Sequence, residues 1–127
     1  MYRDTAPKMP ADSIAAMSRG TRDFGPLRVD LDAYEVEFGG RTFTLFLREF
    51  QILELMIRAP LKVWRREEIV QAVWGDPEAV DERTVDVHIR RLREHLGGRT
   101  GAGACIVTVR GVGYKFDPRK LSRGAKG

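Results

Sequence analysis

The sequence predicts an α+β domain: a short antiparallel meander, three helices and a closing β-hairpin. Three observations carry that expectation. Apolar residues alternate from Leu27 to Phe38, recur at helical spacing from Phe46 to Leu96, and alternate again around a glycine-rich turn between Ile106 and Phe116.

Leu27, Val29 and Leu31 are interleaved with Arg28, Asp30 and Asp32, the pattern of a strand buried on one face. Tyr34, Val36 and Phe38 continue it with Glu35 and Glu37 between them, and Gly39-Gly40 is a two-residue hairpin signal ahead of Arg41 to Leu45. Phe46, Phe50, Leu53 and Ile57 recur at spacings of four, three and four, marking a first helix that ends before Pro60. A second helix fits Arg66 to Trp74, with Ile69, Val70 and Val73 inward and Gly75 as its stop. A loop follows, and then a third helix over about residues 82–96. Gly97-Gly98 ends it. Ile106 to Val109, the turn Arg110-Gly111-Val112-Gly113, and Tyr114 to Phe116 form the closing hairpin.

The body so defined covers residues 24–117. Residues 1–23 contain Pro7, Pro10 and Gly20 and read as a leader or linker with one weak helical turn around Ser13 to Met17. Residues 118–127 read as a basic, loose tail. A chain of 127 residues holds one such domain, and its 43% apolar and 31% charged residues exclude a disordered or fibrous class. No apolar run approaches the roughly 20 residues that span a bilayer, and the opening has no signal-peptide pattern, so a cytoplasmic protein is expected. Cys105 is the only cysteine, which excludes an internal disulfide; a small core residue is its expected role.

The net charge of +4 is less informative than its distribution. From Phe24 to Glu82 there are 7 basic and 12 acidic residues, whereas Arg83 to Phe116 holds 7 basic and 2 acidic. Such polarity implies that one part of the domain meets a polyanion. The third helix shows where. At about 100° per residue, Val85, Ile89, Leu92 and Leu96 share a core-facing stripe. Arg83, Val87, Arg90 and Glu94 lie opposite, with Thr84 and Arg91 beside them and Arg93 on the other flank.

An α-helix fits the major groove of B-DNA, and the planar fork of arginine bonds guanine edges or phosphates bidentately. Val87 among arginines suits a thymine methyl group. Thr84, near the helix N-terminus, suits phosphate. Surface arginines alone ordinarily form a solvated face. The neighbouring hairpin, with Arg110 between glycines and able to enter a minor groove, tips the reading toward DNA. A helix followed by a basic hairpin is the winged-helix arrangement.

The run from Asp81 to Arg93, DERTVDVHIRRLR, closely resembles the recognition helix of OmpR/PhoB-type response regulators. Val109 to Phe116, VRGVGYKF, resembles their wing, while Glu49-Phe50-Gln51-Ile52-Leu53 and Val73-Trp74-Gly75 are similar to parts of their first two helices. The resemblance implies an N-terminal four-stranded antiparallel sheet, three helices and a C-terminal wing. It implies that Thr84, Val87 and Arg91 lie near base edges, that Trp74, Arg83, His88, Arg90 and Arg93 lie near phosphates, that Thr108 touches the backbone, and that Arg110 enters the minor groove. It further implies that the loop 75–82, with Asp76, Glu78, Asp81 and Glu82, meets the sigma or alpha subunit of RNA polymerase, and that two copies bind direct repeats in tandem. Transcription regulation within a two-component phosphorelay is the implied role. Family members carry a receiver domain ahead of this module, which 23 leader residues cannot contain, so either a piece of a longer regulator or a free-standing regulator is expected. A related class places a similar module before a membrane anchor.

Two departures concern stability. Phe46, Leu47 and Arg48 stand where a Ser or Thr cap is usual, and Arg65 where a serine is usual; a lost cap costs about 1 kcal/mol.

An enzyme is not expected. The only histidines, His88 and His95, have no nucleophile or ligand cluster beside them, and no metal or cofactor site is expected. His88 is expected at the core rim and His95 exposed. Trp64 and Trp74 are expected to pack in the core, Trp74 with a second role by resemblance. RNA is disfavoured because the A-form major groove is too narrow for a reading helix, and a protein-docking face would be apolar where the arginines stand.

Overall fold

The computed structural model describes residues 18–121. Four strands open the domain: β1 (Thr21–Phe24), β2 (Leu27–Asp30), β3 (Glu35–Phe38) and β4 (Arg41–Phe43). They pair in sequence order, every pair antiparallel. Helix α1 (Leu47–Ile57) follows, then the two-residue strand β5 (Trp64–Arg65), helix α2 (Arg66–Trp74) and helix α3 (Glu82–His95). Two 3₁₀ turns, Gly98–Thr100 and Ala102–Cys105, lead to β6 (Ile106–Val109) and β7 (Gly113–Phe116). The second sheet has the order β5-β7-β6.

The Gly39-Gly40 hairpin forms as expected, both glycines having positive φ, the geometry that matches the strands' own twist. Leu27, Val29 and Val36 from the first sheet close against Phe50, Leu53 and Ile57 of α1, Ile69 and Val70 of α2, and Phe116 of the last strand. Val85, Ile89, Leu92 and Leu96 are all fully buried, so the stripe assigned to the third helix is its core face. Cys105 is buried too, and burial pushes its thiol well above the usual range, which leaves it unreactive.

The first sheet begins before the expected boundary at residue 24. All of strand β1 but Phe24 lies within the stretch read as a linker, and the sequence Thr-Arg-Asp-Phe carries no apolar alternation to signal it. Three of its four side chains are exposed, and only Phe24 turns inward, edge-on to Phe116 with centroids 4.8 Å apart. Backbone pairing to β2 rather than apolar alternation forms this strand. Ahead of it, the Asp32 carboxylate gathers the Ser18 hydroxyl at 2.7 Å and the amides of Arg19 and Gly20 at 2.8 and 3.1 Å. Those bonds, the Arg19 amide foremost, hold its pKa below the usual carboxylate range. The Arg19 guanidinium reaches the Leu31 carbonyl and ion-pairs with Glu54 of α1, whose carboxylate also meets Arg58. The earlier leader, including the turn expected at Ser13 to Met17, lies outside the described residues.

The tail also starts later than expected. Residues 119–121 continue into a helical turn, and Leu121 is fully buried in the core. Asp117 fixes that turn by bonding the Arg119 amide at 3.0 Å and its guanidinium at 2.9 Å. Residues 122–127 lie outside the described residues.

Two further differences concern the helix starts. Phe46, read as part of the core face of α1, is its N-cap residue in extended conformation and is 68% exposed. Both missing caps are half replaced: Glu49 accepts from the Phe46 amide at 3.2 Å and Glu68 from the Arg65 amide at 2.9 Å. Phenylalanine has no side-chain acceptor, so only this carboxylate half of the capping box exists in α1.

Strand β5 had no sequence signal because two residues cannot show a period. It pairs Trp64 with Tyr114 and Arg65 with Gly113, stitching the start of α2 to the last hairpin. The approach is so close that a Cβ on Gly113 would lie 1.9 Å from the Trp64 carbonyl oxygen. Only glycine permits that pairing.

Candidate nucleic-acid interface

Helix α3 starts at Asp81, whose carboxylate accepts from the Arg83 amide at 2.8 Å. That bond, reinforced by the Arg83 side chain, holds Asp81 below the usual carboxylate range. With the stripe from Val85 to Leu96 turned to the core, Arg83, Arg90 and Arg91 are exposed and Thr84, Val87 and His88 half-buried.

His88 Nδ1 lies 2.8 Å from the Thr84 carbonyl. A carbonyl only accepts, so Nδ1 carries the hydrogen and Nε2 is left for another partner. The imidazole stands edge-on to Trp74 with centroids 5.5 Å apart. Arg48 of α1 lies 5.0 Å over the same indole and donates to the Val73 carbonyl at 3.1 Å and to Gln51 at 3.0 Å. Trp74 is therefore fixed from two other helices. Arg48 belongs to this cluster although nothing in the sequence marked it, because the contact joins residues far apart in the chain.

The wing is fastened to α3 from the other flank. Arg93 donates through Nε to the Ile106 carbonyl at 2.9 Å and through Nη2 to the Thr108 hydroxyl at 2.6 Å. Its guanidinium also lies 5.7 Å from the Tyr114 ring centre. Burial at this half-enclosed position pulls the Arg93 pKa down. The Tyr114 hydroxyl donates to Asp86 at 2.5 Å, and Arg66 Nε stands 3.4 Å from the same carboxylate. Burial first, and then the hydrogen bond to Asp86 and its charge, push the Tyr114 phenol up to about 12.

Arg110 is exposed at the wing tip, where the Val112 amide closes the turn on the Val109 carbonyl at 2.9 Å. Gly111 and Val112 line one hollow of about 400 Å³ with Arg65, Arg66, Glu67 and Glu82. The tip thus lies beside the N-terminal ends of α2 and α3.

Among the residues read from the sequence, the fold brings Thr84, His88 and Trp74 together, and separately Arg93 with Thr108. In the loop before α3, Asp76 is engaged in its own turn, accepting from the Glu78 amide at 2.9 Å. Asp81 is occupied as the cap, and Glu82 stands 3.9 Å from Arg66. Asp76 and Glu78 are the acidic groups of this loop that face solvent without a cationic partner among the described residues. His95 departs from its expected exposure: it is half-buried, with Nδ1 2.7 Å from the buried Glu49 carboxylate and its ring against Phe46.

Residues 40–116 match the family described as "Transcriptional regulatory protein, C terminal". The chain belongs to this family. The sensory transduction protein RegX3 of Mycobacterium tuberculosis is 38% identical over 106 residues, 84% of this chain and 47% of that protein. The chain spans about half the length of the curated relatives it matches. The DNA-binding domain of RstA from Klebsiella pneumoniae, solved in complex with the RstA box, is 32% identical with a TM-score of 0.67, covering 77% of this chain and 97% of that one. The response regulator DrrB of Thermotoga maritima, an OmpR/PhoB homologue, is 33% identical with a TM-score of 0.68, over 82% of this chain and 47% of that one. Fold and family are those of a DNA-binding transcription-regulator domain, the winged helix of OmpR/PhoB-type response regulators. No described helix is long and apolar enough to cross a membrane.

Proposed function

We propose that this domain binds double-stranded DNA sequence-specifically, with α3 in the major groove and Arg110 in the adjacent minor groove, as the output module of a cytoplasmic two-component regulator. The observation that carries the reading is the exposed arginine face of α3 beside a wing held to that same helix by Arg93, Thr108, Tyr114 and Asp86. A rigid relation between helix and wing lets one duplex meet both.

In this reading Arg91, Val87 and Thr84 address base edges, while Arg83, Arg90, His88 through its free Nε2, Trp74 and Thr108 address the sugar-phosphate backbone. Arg93 adds positive potential there, but two of its donor groups are spent on the wing, so positioning is its larger part. Asp76 and Glu78 are the groups through which the loop 75–82 meets a sigma or alpha subunit of RNA polymerase. Asp81 is occupied as the cap of α3, and Glu82 faces Arg66 at 3.9 Å. Two copies occupy direct repeats about one helical turn apart.

Selection of bound duplexes from a random pool, followed by mobility-shift titration, tests the interface. Arg91→Ala is expected to relax discrimination at one base pair by about 1–3 kcal/mol. An equal loss of affinity on selected and scrambled duplexes would overturn the assignment of Arg91 to a base. Footprinting that shows a lone half-site at saturation would overturn the tandem arrangement.

A further inference from the structure

Between the C-terminal half of α3 and strand β6 runs a groove of about 810 Å³, lined by Arg90, Arg93, Glu94, Arg99, Thr108 and Lys120 among others. Four cations face one carboxylate. Arg90, Arg93 and Thr108 already belong to the interface described above; Arg99 and Lys120 do not.

Both of those side chains are exposed, and neither has an ion-pair or hydrogen-bond partner among the described residues. The neighbouring Arg119, by contrast, is paired with Asp117 at 2.9 Å. Their mounts are rigid. Arg99 sits in the 3₁₀ turn Gly98–Thr100, and the segment that follows packs onto α3 so closely that a Cβ on Gly103 would lie 2.5 Å from the Arg93 carbonyl oxygen. Lys120 sits one residue before the buried Leu121, in the turn that Asp117 caps. Two cations on fixed supports, brought near two others, repel one another when the groove holds only water, and the Arg99 charge contributes to the lowered pKa of Arg93. A chain of phosphates relieves that repulsion along the whole groove, whereas a small anion relieves it at one point.

We propose that this groove seats a stretch of the DNA sugar-phosphate backbone, with Arg99 and Lys120 each neutralising a phosphate beyond the reach of the exposed α3 arginines. The proposal rests on the DNA reading above and extends its footprint past the end of the recognition helix. Continuity with Arg90 and Thr108 favours a phosphodiester strand over an acidic protein segment. Because the contact is to backbone, it carries no base preference.

The test is the salt dependence of binding of the full chain to a selected duplex, for the unsubstituted protein, Arg99→Gln, Lys120→Gln, the double variant and Arg91→Ala. Both positions are exposed, so thermal melting is expected to be unchanged. The double variant is expected to lower the slope of log affinity against log salt by about two, with unaltered base preference. It is also expected to lose ethylation interference at one or two phosphates. An unchanged slope and interference pattern in the double variant, while Arg91→Ala still relaxes base preference, would overturn the groove proposal and leave the interface standing. If the double variant instead loses binding to a second protein copy or an acidic peptide and none to DNA, the occupant is protein and the proposal falls. Absence of any preferred duplex for the unsubstituted chain would remove the interface reading itself, and this proposal with it.

Discussion

The outer face of α3 and the flank beside it that meets the wing carry the same kind of side chain and put it to opposite uses. On the outer face Arg90 is exposed and has no ion-pair or hydrogen-bond partner among the described residues. Three positions along, on the wing-side flank, Arg93 is half-enclosed and donates to the Ile106 carbonyl and the Thr108 hydroxyl. Asp86 and Tyr114 lie on the tied flank as well. An arginine's chemistry therefore does not reveal whether its charge is free; the position of the next strand does. The outer face is left for a ligand, and the wing-side flank sets the height and angle of the wing.

The largest effect that would break this comparison is expected at Gly113. Gly113→Ala places a methyl group within the Trp64 carbonyl, forcing β5 off β7, at a cost on the order of 1–3 kcal/mol and with loss of DNA affinity. Urea unfolding and titration of the same sample read both; a variant that melts normally would show that β5 pairing is not needed for the wing.

Arg93→Ala and Arg90→Ala sharpen it. The first is expected to lower stability by about 1–3 kcal/mol, because hydrogen bonds from a charged donor are lost in a half-enclosed site. The second is expected to change stability by less than about 0.5 kcal/mol while reducing the salt slope of binding by about one. Equal destabilisation by the two would erase the distinction between the tied arginine and the free one.

A pH effect is expected on the tied flank. The Tyr114 phenol is raised to about 12 in the folded protein, against a usual value near 10. A group whose folded pKa is raised contributes stability that is complete below the unfolded pKa and is lost as pH climbs through the folded one. Stability is therefore expected to fall between about pH 10 and 12, and Tyr114→Phe to flatten that fall. Ultraviolet titration is expected to show a late-ionising phenol that Tyr114→Phe removes; a high-pH limb that the substitution leaves unchanged would contradict the Tyr114–Asp86 bond.

The smallest effect concerns Asp32. Its depressed pKa means that the hold on Ser18 to Gly20 is present at neutral pH and lost as pH falls through that lowered value. Asp32→Asn is expected to raise amide exchange at Arg19 without altering DNA affinity.

Most of the architecture was legible because its elements bury one face each. The stripe of α3, the span of α2, the glycine hairpin and the wing all follow from local periodicity or turn chemistry. What escaped the sequence is what depends on partners distant in the chain. Strand β1 pairs through its backbone with polar side chains outward, β5 is too short to have a period, and Leu121 is a single apolar residue in a basic stretch. At the interface the residue types and the helix face could be read, but the engagement of Arg93 by the wing, of Trp74 by Arg48 and of His95 by Glu49 could not. Each of those joins elements whose juxtaposition only the fold sets.

The grip on Arg19 has a mechanical consequence. Its guanidinium bridges the Leu31 carbonyl and the buried Glu54, while its own amide is held by Asp32. A pull applied to the polypeptide at Ser18 is thus not absorbed by slack but delivered to the first sheet and to α1 at once. The first described residues thus belong to the folded body itself, and freeing them means loosening the sheet and α1 together.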